Sequence, residues 1–234
     1  MNIEDAIKDY EPSAATIEVV KGSNLLLVAG IVCAGKDTVI KELLKNDTYL
    51  PIISHTTRPP RENHGIMEVN HEDYHFITLD QAASLVNERA FIEVKYVHGN
   101  VYGTSVAELE RIKTVGKVAT TDIDIQGVME YLELKPETKA IFLLPPSVDT
   151  WLRRLEKRYG NSERHAGEIA TRFKTAYDEI MHIKSDPRFV LIINDDLATT
   201  VDRVHKVVKG ERGETSEYAE AVTEHLLEFL QTKI

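Results

Sequence analysis

The sequence predicts an α/β fold with a mainly parallel core sheet, and three observations lead to this prediction. From Leu25 onward, short apolar runs alternate with longer segments of helical periodicity, which is the pattern of βαβ units. Each apolar run is nearly continuous, as expected for strands covered by helices on both faces. The chain has 234 residues, 42% of them apolar, which is enough for one large domain or two small ones. The predicted core strands are Leu25–Ala29, Val118–Asp122, Ala140–Leu144 and Val190–Ile193.

Two of the predicted helices carry clear start signals. Ser105 followed by Glu108 has the spacing of a capping box that opens the helix Val106–Ile112. Ser147 is expected to cap the helix Val148–Lys157, which follows the predicted strand Ala140–Leu144. These signals separate the helices from the strands that flank them.

A polar segment from Ser54 to Tyr102 interrupts the α/β alternation. It contains the short alternating runs Tyr74–Ile77 and Phe91–Val97, which predict a small β-rich insert. Within it, Asp80 is expected to cap a helix over Gln81–Asn87. The insert is therefore an addition to the main sheet.

Three further segments lie outside this pattern. The stretch Tyr159–His165, flanked by arginine-rich helices, predicts a mobile loop at a helical hairpin. Met1–Gly22 is expected to form one short helix and a turn. The C-terminus has one apolar helical face, which we expect to pack on the body of the protein, while docking on another subunit or a membrane stays open. The residues of this face are Tyr218, Val222, Leu226, Phe229 and Leu230.

Charge and cysteine content exclude several classes of protein. The 28 basic and 38 acidic residues give a formal net charge of −10, which disfavours general binding to nucleic acid or an anionic membrane. No apolar run approaches the roughly 20 residues that span a bilayer, and Met1–Pro12 is acidic, unlike a basic leader. The single cysteine, Cys33, forms no internal disulfide and leaves too few thiols for a Cys/His zinc cluster. We expect a cytoplasmic protein.

A glycine-rich loop follows the first core strand and precedes a helix. Strand, glycine loop, lysine and helix start together give the context of a Walker A motif. In such a motif glycines let the backbone approach phosphate, the helix N-terminus offers N–H groups, and the lysine, here Lys36, is expected to bridge the outer phosphates. The alternative is an ordinary tight turn between strand and helix. The loop consists of Gly30, Ile31, Val32, Cys33, Ala34, Gly35, Lys36, Asp37 and Thr38.

One position of this loop departs from the strict motif. Asp37 stands where the motif has Ser or Thr for magnesium. Its carboxylate can bind Mg²⁺ directly or through water, or the Thr38 hydroxyl can do so instead. Cys33 is either a small residue that fits the loop or a thiol made reactive by the helix N-terminus.

A second loop places Arg58 and Arg61 three residues apart on a proline-stiffened segment, Ser54–Arg61. Guanidinium forks suit phosphate oxygens, and a rigid loop lowers the entropic cost of holding them. A solvated surface loop is the alternative interpretation.

Several separated segments closely resemble guanylate kinases, in the same order, over about Leu25 to Val208. Several motifs that occur in the same order as in a known family identify that family far more specifically than any single motif does. The segments are Ser54–Arg61, Glu68–Phe76, Phe91–Glu93, Gly99–Thr104, Asp122–Gly127, Leu144–Ser147, Arg154–Glu156 and Asn194–Leu197.

The resemblance implies a three-layer P-loop kinase fold with a nucleoside-monophosphate-binding insert and a helical lid. The implied reaction transfers the γ-phosphoryl group of ATP to GMP, and to dGMP as well, with Mg²⁺. The boundaries are an N-terminal extension over 1–22, a guanylate-kinase-like domain over 23–210 and a C-terminal helical extension over 211–234. The insert would span about 50–104, and the lid about 154–172.

The resemblance also implies the site residues. For catalysis they are Lys36, Arg58, Arg154, Arg158 and Arg172. For ATP they are Gly30 to Thr38 and Asn194, with Asp37, Thr38 and Asp122 near the metal. For GMP they are Ser54, Glu93 and Thr104 at the guanine, Arg58, Arg61, Tyr74 and Tyr102 at the phosphate, and Glu68, Asp122 and Asp124.

Two alternatives to this function remain. One is a guanylate-kinase-like protein-binding module, in which the acceptor site has become an interaction surface. The other is a P-loop kinase for a different small phosphorylated acceptor. Cys33 and Asp37 both depart from the family pattern, and this bears on the donor site more than on acceptor identity. We expect a monomer or a homodimer that binds ATP and GMP and no nucleic acid or membrane.

Overall fold

A computed structural model describes residues 2–63, 65–160, 166–211 and 215–234 of the chain. The helices are α1 (Ile3–Lys8), α2 (Ala14–Lys21), α3 (Lys36–Leu43), α4 (Leu79–Asn87), α5 (Val106–Thr114), α6 (Ile125–Leu134), α7 (Val148–Tyr159), α8 (Ala166–Lys184), α9 (Leu197–Val208) and α10 (Glu217–Gln231). The strands are β1 (Leu25–Gly30), β2 (Tyr49–Pro51), β3 (His55–Thr56), β4 (Glu62–Asn63), β5 (Ile66–Met67), β6 (His75–Phe76), β7 (Phe91–Val97), β8 (Asn100–Ser105), β9 (Val118–Asp122), β10 (Ala140–Leu144) and β11 (Phe189–Ile193). In the described part of the chain, no helix has the length and apolar character needed to cross a membrane.

The chain divides into two compact units. The first unit comprises residues 2–25, 47–121 and 129–136, and the second comprises the described parts of 26–46, 122–128 and 137–234. Both units contain parallel strands, so the predicted α/β fold with a parallel sheet is confirmed.

In the second unit, β10 lies between β1 and β11, and both neighbours pair with it in parallel. Leu27 is opposite Ala140, and Ala140 is opposite Phe189. All five residues of β10 and of β11 are buried, which explains why their sequences are continuous apolar runs. The four predicted core strands match the observed ones to within one residue at either end.

Helix α10 packs within the second unit against α7, α8 and β11. Val222, Leu226 and Leu230 are buried, and the Phe229 ring meets the Phe173 ring edge-on at 5.7 Å. The predicted apolar face is therefore packed on the body of the second unit. Tyr218 is the exception, because its side chain is 52% exposed at the start of the helix.

The first unit holds a four-stranded sheet in the order β6-β3-β8-β7, together with the parallel pair β2 and β9. Strands β7 and β8 form an antiparallel hairpin with an irregularity between Phe91 and Glu93. The β-rich character predicted for this part of the chain is confirmed, and β4 pairs with β5 in the loop that precedes β6.

The N-terminal segment forms two helices, where the sequence pattern predicted one helix and a turn. Ile7 of α1 packs in a cluster with Phe91 and Val101, and the Tyr10 hydroxyl donates to the Phe91 carbonyl oxygen at 2.7 Å. Ser13 caps α2 by accepting from the Thr16 N–H. These tertiary contacts and the second cap explain the additional helix.

The three predicted caps have different outcomes. Ser147 caps α7, since its Oγ accepts from the Thr150 N–H at 3.2 Å, as predicted. Asp80 is not the cap of α4, because the cap is Thr78, two residues earlier, which exchanges reciprocal hydrogen bonds with Gln81.

The predicted capping box at Ser105 is also wrong. Among the described residues, the Ser105 side chain makes no capping hydrogen bond, although α5 begins at Val106 as expected. The Glu108 carboxylate instead forms hydrogen bonds with Arg111, His75 and the Ile53 N–H. Because these partners occupy both of its oxygens, it does not cap the start of α5. Of the predicted loop Tyr159–His165, residues 161–165 lie outside the described part of the chain.

Candidate active site

The loop between β1 and α3 needs glycine at both ends. A Cβ atom at Gly30 would collide with the Leu143 carbonyl oxygen, and one at Gly35 would collide with the Asn194 side-chain amide. Gly35 also has a φ of 96°, a left-handed conformation that favours glycine. Close packing against Leu143 and Asn194 therefore requires glycine at both positions, in addition to the closer approach to phosphate that glycine allows.

Cys33 has a φ of 61°, although it carries a side chain. This left-handed conformation costs a non-glycine residue roughly 1–2 kcal/mol. The loop therefore has, at Cys33, a backbone conformation that glycine adopts more readily than any other residue.

Lys36 is the first residue of α3, so it stands beside the unpaired N–H groups of a helix N-terminus. Its ammonium donates to the Gly30 carbonyl oxygen at 2.9 Å and lies 4.0 Å from Oδ1 of Asp122. Positive charge and backbone donors thus converge at the mouth of the loop, which suits an anionic ligand.

A cavity of about 820 Å³ opens above this loop within the second unit. Most of the residues predicted for ATP, catalysis and the metal line it: Gly30, Val32, Cys33, Gly35, Lys36, Asp37, Thr38, Asp122, Arg154, Arg158, Arg172 and Asn194. Ile31 and Ala34 are fully buried beneath the loop and contribute packing there. Asp122 and Asp124, both of which are predicted for GMP, lie in this unit with the glycine-rich loop Gly30–Thr38, which is called the phosphate loop from here on.

Two cavity-lining side chains, Arg154 and Asn194, form hydrogen bonds with the phosphate loop. Arg154 Nη1 donates to the Ala34 carbonyl oxygen at 3.0 Å, and Nη2 donates to the Asn194 carbonyl oxygen at 3.2 Å. The Asn194 amide donates to the same Ala34 oxygen at 2.8 Å. Burial lowers the pKa of Arg154 from its ordinary value, as expected for a desolvated cation.

Two carboxyl groups in the cavity have raised pKa values. Burial raises the pKa of Asp122 to about 6; Lys36 opposes this shift, and a hydrogen bond with Asp37 adds to it. Burial likewise raises the pKa of Glu179 to about 7, against the attraction of Lys36 and Arg172. Shifts of this kind are frequent at functional sites.

Glu179 was missed in the sequence analysis, although a signal for it exists. Arg172, Thr175, Ala176 and Glu179 have the i, i+3, i+4, i+7 spacing of a single helix face, and all four line the cavity. Once Arg172 was assigned to the site, that spacing on α8 would have pointed to Glu179.

The oxygen groups of Asp37, Thr38 and Asp122 lie along the same cavity. Mg²⁺ prefers oxygen ligands and typically takes one or two carboxylates together with substrate phosphates. Among the described residues, no group of three or more His, Cys, Asp or Glu side chains is arranged to hold a metal by itself. The donor chemistry therefore fits magnesium that arrives with a nucleotide.

The first unit gathers the residues predicted to read the guanine base. Ser54 Oγ and Thr104 Oγ1 lie 3.2 Å apart. Thr104 is paired with Glu93 across the antiparallel strands β8 and β7. Glu93 and Thr104 thus occupy paired strand positions, and the Ser54 hydroxyl, one residue before β3, lies beside that of Thr104.

The same unit also brings together the residues predicted to hold the acceptor phosphate. Arg58 is paired with Glu68, its guanidinium carbon lies 5.3 Å from the centre of the Tyr74 ring, and the Tyr74 and Tyr102 rings meet edge-on at 6.4 Å. The Arg58 side chain is 6% exposed, whereas Arg61 is exposed and donates only its backbone N–H to Glu68.

Comparisons with known proteins identify the family. The family model described as Guanylate kinase matches residues 22–211. The guanylate kinase of Clostridioides difficile (strain 630) is 34% identical over 212 residues, which cover 90% of this chain and 99% of that protein. The guanylate kinase of Francisella tularensis subsp. tularensis (strain SCHU S4 / Schu 4) is 37% identical over 178 residues, covering 74% of this chain and 89% of that protein.

A solved structure gives the same result for the fold. The crystal structure of guanylate kinase from Anaplasma phagocytophilum matches with a TM-score of 0.57 and 27% identity, covering 84% of this chain and 89% of that one. The family model spans most of the chain, and the relatives match it over nearly their whole length. The chain therefore belongs to the guanylate kinase family.

Proposed function

We propose that this protein transfers the γ-phosphoryl group of ATP to GMP, giving ADP and GDP, and that it accepts dGMP as well. The observation that carries the proposal is the cavity in which Lys36 and three arginines, Arg154, Arg158 and Arg172, surround the phosphate loop. Four cations around one anion-binding loop suit a triphosphate. Membership of the guanylate kinase family supports the choice of reaction.

The chemistry asks for positioning and charge neutralisation more than for covalent catalysis by the protein. The backbone N–H groups at the start of α3 and the Lys36 ammonium would hold the outer phosphates of ATP. Magnesium, when bound with ATP, supplies further neutralisation of the phosphate charge, and Asp37, Thr38 and Asp122 are the residues that would hold it. The arginines on α7 and α8 would stabilise the charge that develops during transfer.

On the acceptor side, the carboxylate of Glu93 would accept from the N1–H and the amino group of guanine. Ser54 and Thr104, which lie beside it, would complete the recognition of the base. Arg58, Arg61, Tyr74 and Tyr102 would donate to the GMP phosphate, with Glu68 holding Arg58.

The remaining assignments belong to the same proposal. We assign residues 23–210 to the kinase domain, with the acceptor insert at about 50–104 and the lid at about 154–172, and treat both ends as extensions. We place the protein in the cytoplasm as a monomer or a homodimer. Its partners would be ATP and GMP, with no nucleic acid or membrane, in keeping with a net charge of −10.

The test is ADP release by the purified protein with MgATP and each of GMP, dGMP, AMP, UMP and CMP. A reaction without acceptor is the blank. We expect turnover with GMP and dGMP alone. Turnover with another acceptor would favour the kinase of different specificity, and GMP binding without any turnover would favour the binding module.

A further inference from the structure

Glu108 on α5 is a buried carboxylate that the proposed chemistry does not use. Its residue is 5% exposed. One oxygen accepts from the backbone N–H of Ile53 at 3.1 Å, and the other lies 3.0 Å from Nε2 of His75. Arg111 completes the arrangement by donating to Glu108 at 2.8 Å and to the Pro51 carbonyl oxygen at 2.9 Å.

These contacts join the two chain segments that carry the acceptor residues. Ile53 directly precedes Ser54, which is assigned to the guanine, and His75 directly follows Tyr74, which is assigned to the phosphate. The His75 backbone N–H also donates to the Ser54 carbonyl oxygen at 2.8 Å. One carboxylate thus links both ends of the proposed GMP site through adjacent residues.

Glu108 is in its charged form at neutral pH. Burial acts to raise its pKa, but hydrogen bonds from Arg111, the Ile53 N–H and His75 outweigh burial and hold the pKa below its ordinary value. The carboxylate therefore only accepts, and Nε2 of His75 carries the proton between them.

The orientation of His75 is fixed from its other side as well. Its Nδ1 lies 2.7 Å from Nδ1 of His71, where one of the two ring nitrogens donates and the other accepts. Nε2 of His71 lies 3.1 Å from the Asn70 side-chain amide nitrogen. The chain Asn70, His71, His75, Glu108 contacts both ring nitrogens of His75, which holds the ring in a single orientation.

We propose that Glu108 is a positioning residue for acceptor binding, which fixes the segments bearing Ser54 and Tyr74 so that GMP meets a site already in order. A preorganised site binds its ligand without the cost of ordering two loops. This inference rests on the proposed function, because that function assigns Ser54 and Tyr74 to GMP.

The experiment replaces Glu108 by Gln. The Glu108→Gln side chain keeps its size but loses its charge, and its amide nitrogen cannot accept from Arg111 or Ile53. We expect the KM for GMP to rise about tenfold, a loss of roughly 1.4 kcal/mol in binding, while kcat at saturating GMP stays within about twofold and the KM for ATP is unchanged. Glu110→Gln is the matched control, because Glu110 lies on the same helix and is exposed.

A purely structural role gives a different result. It would lower the melting temperature and the active fraction and leave the KM for GMP unaltered, and that outcome would overturn the inference. Glu108→Asp retains the charge at a shorter reach, so its KM for GMP should lie between those of the wild type and Glu108→Gln.

Two additions keep the test decisive. If Glu108→Gln does not fold, His75→Leu removes the hydrogen bond to Glu108 on the Tyr74 side because leucine has no donor, and a rise in the KM for GMP is expected there too. Calorimetric titration with GMP in the absence of ATP measures acceptor affinity without turnover. A wild type that binds GMP but makes no ADP contradicts the proposed function alone, whereas equal GMP affinity in wild type and variant contradicts the role of Glu108.

Discussion

Arg58 and Glu68 form a two-point ion pair, in which Nη1 lies 2.7 Å from Oε2 and Nη2 lies 3.0 Å from Oε1. The side chains are 6% and 12% exposed, and Oε2 also accepts from the Arg61 N–H at 2.8 Å. One glutamate therefore holds the Arg58 side chain and the backbone at Arg61 in the proposed phosphate-binding loop.

The pair predicts that Glu68→Gln weakens acceptor binding. The neutral amide cannot hold both guanidinium donors, so Arg58 loses its fixed orientation and the KM for GMP should rise severalfold. Glu72→Gln is the control, since Glu72 is an exposed glutamate in the same segment. An unchanged KM for GMP in Glu68→Gln would show that Arg58 does not need Glu68 to be oriented.

The same variant has a predictable dependence on pH. The hydrogen bonds from Arg58 hold the pKa of Glu68 below its ordinary value. A lowered folded-state pKa stabilises the protein above the unfolded-state pKa, and this contribution is lost as pH falls through the folded-state value. The difference in urea midpoint between wild type and Glu68→Gln should therefore be present at pH 7 and shrink below about pH 4.

Glu93→Gln should reduce the preference for GMP over AMP. In the proposed site the Glu93 carboxylate would accept two guanine donors, whereas the amide of the variant has one acceptor and one donor, so the selectivity measured as a ratio of kcat/KM should fall at least about tenfold. The KM for ATP should not change. An unaltered ratio would remove Glu93 from guanine recognition.

Asp37→Ser should change the magnesium requirement. Asp37 lines the cavity beside Asp122 and forms a hydrogen bond with it, so its loss alters one of the few oxygen groups near the proposed metal position. The measurement is ADP release as a function of Mg²⁺ at fixed ATP. Superimposable titrations of wild type and variant would exclude a metal role for Asp37.

Cys33→Gly should stabilise the protein. The φ of 61° at Cys33 is unfavourable for any residue with a Cβ atom and is readily adopted by glycine. We expect an increase of about 1 kcal/mol in the free energy of unfolding by urea denaturation. Cys33→Ala keeps the Cβ atom and should show no such gain, and equal stability of the two variants would contradict the explanation by backbone strain.

Glu179→Gln should flatten the dependence of stability on pH. The pKa of Glu179, raised by burial to about 7, means that the folded protein binds a proton more tightly than the unfolded chain. Stability of the wild type then falls as pH rises towards 7, because the buried carboxylate must be charged. Urea midpoints at pH 5.5 and pH 8 should differ less in Glu179→Gln than in wild type.

The control for that measurement is Asp178→Asn, which alters an exposed carboxylate on the same helix. Its midpoints should follow those of the wild type. If Glu179→Gln did so too, the carboxyl group would have an ordinary pKa.

The parallel strands and the phosphate loop could be predicted from sequence because their signals are local. The apolar run that predicts β10 and the glycine loop that precedes α3 are each contained in a short stretch of sequence, so neither prediction needs distant residues. Ser147 was predicted correctly for the same reason, since its capping partner lies three residues away.

Glu108 could not be placed in this way. Its spacing from Ser105 is that of a capping box, but His75 and Ile53 are 33 and 55 residues distant along the chain and compete for the same carboxylate. A buried carboxylate pairs with whichever donors the fold brings near it, and a local sequence pattern cannot predict which donors those are. The pairing of Arg58 with Glu68 escaped prediction for a similar reason, although both residues were assigned to the site.

Trp151 is the only tryptophan of the chain, and it is fully buried. Its indole N–H donates to the carbonyl oxygen of Val32 in the phosphate loop at 2.7 Å, with the Phe173 ring 5.4 Å from its own. The tryptophan fluorescence of the wild-type protein, excited selectively at wavelengths that tyrosine does not absorb, therefore comes from a single indole hydrogen-bonded to that loop. A ligand that moves the loop backbone changes the polarity around this fluorophore, so the native chain carries its own optical reporter of donor-site occupancy and needs no attached dye.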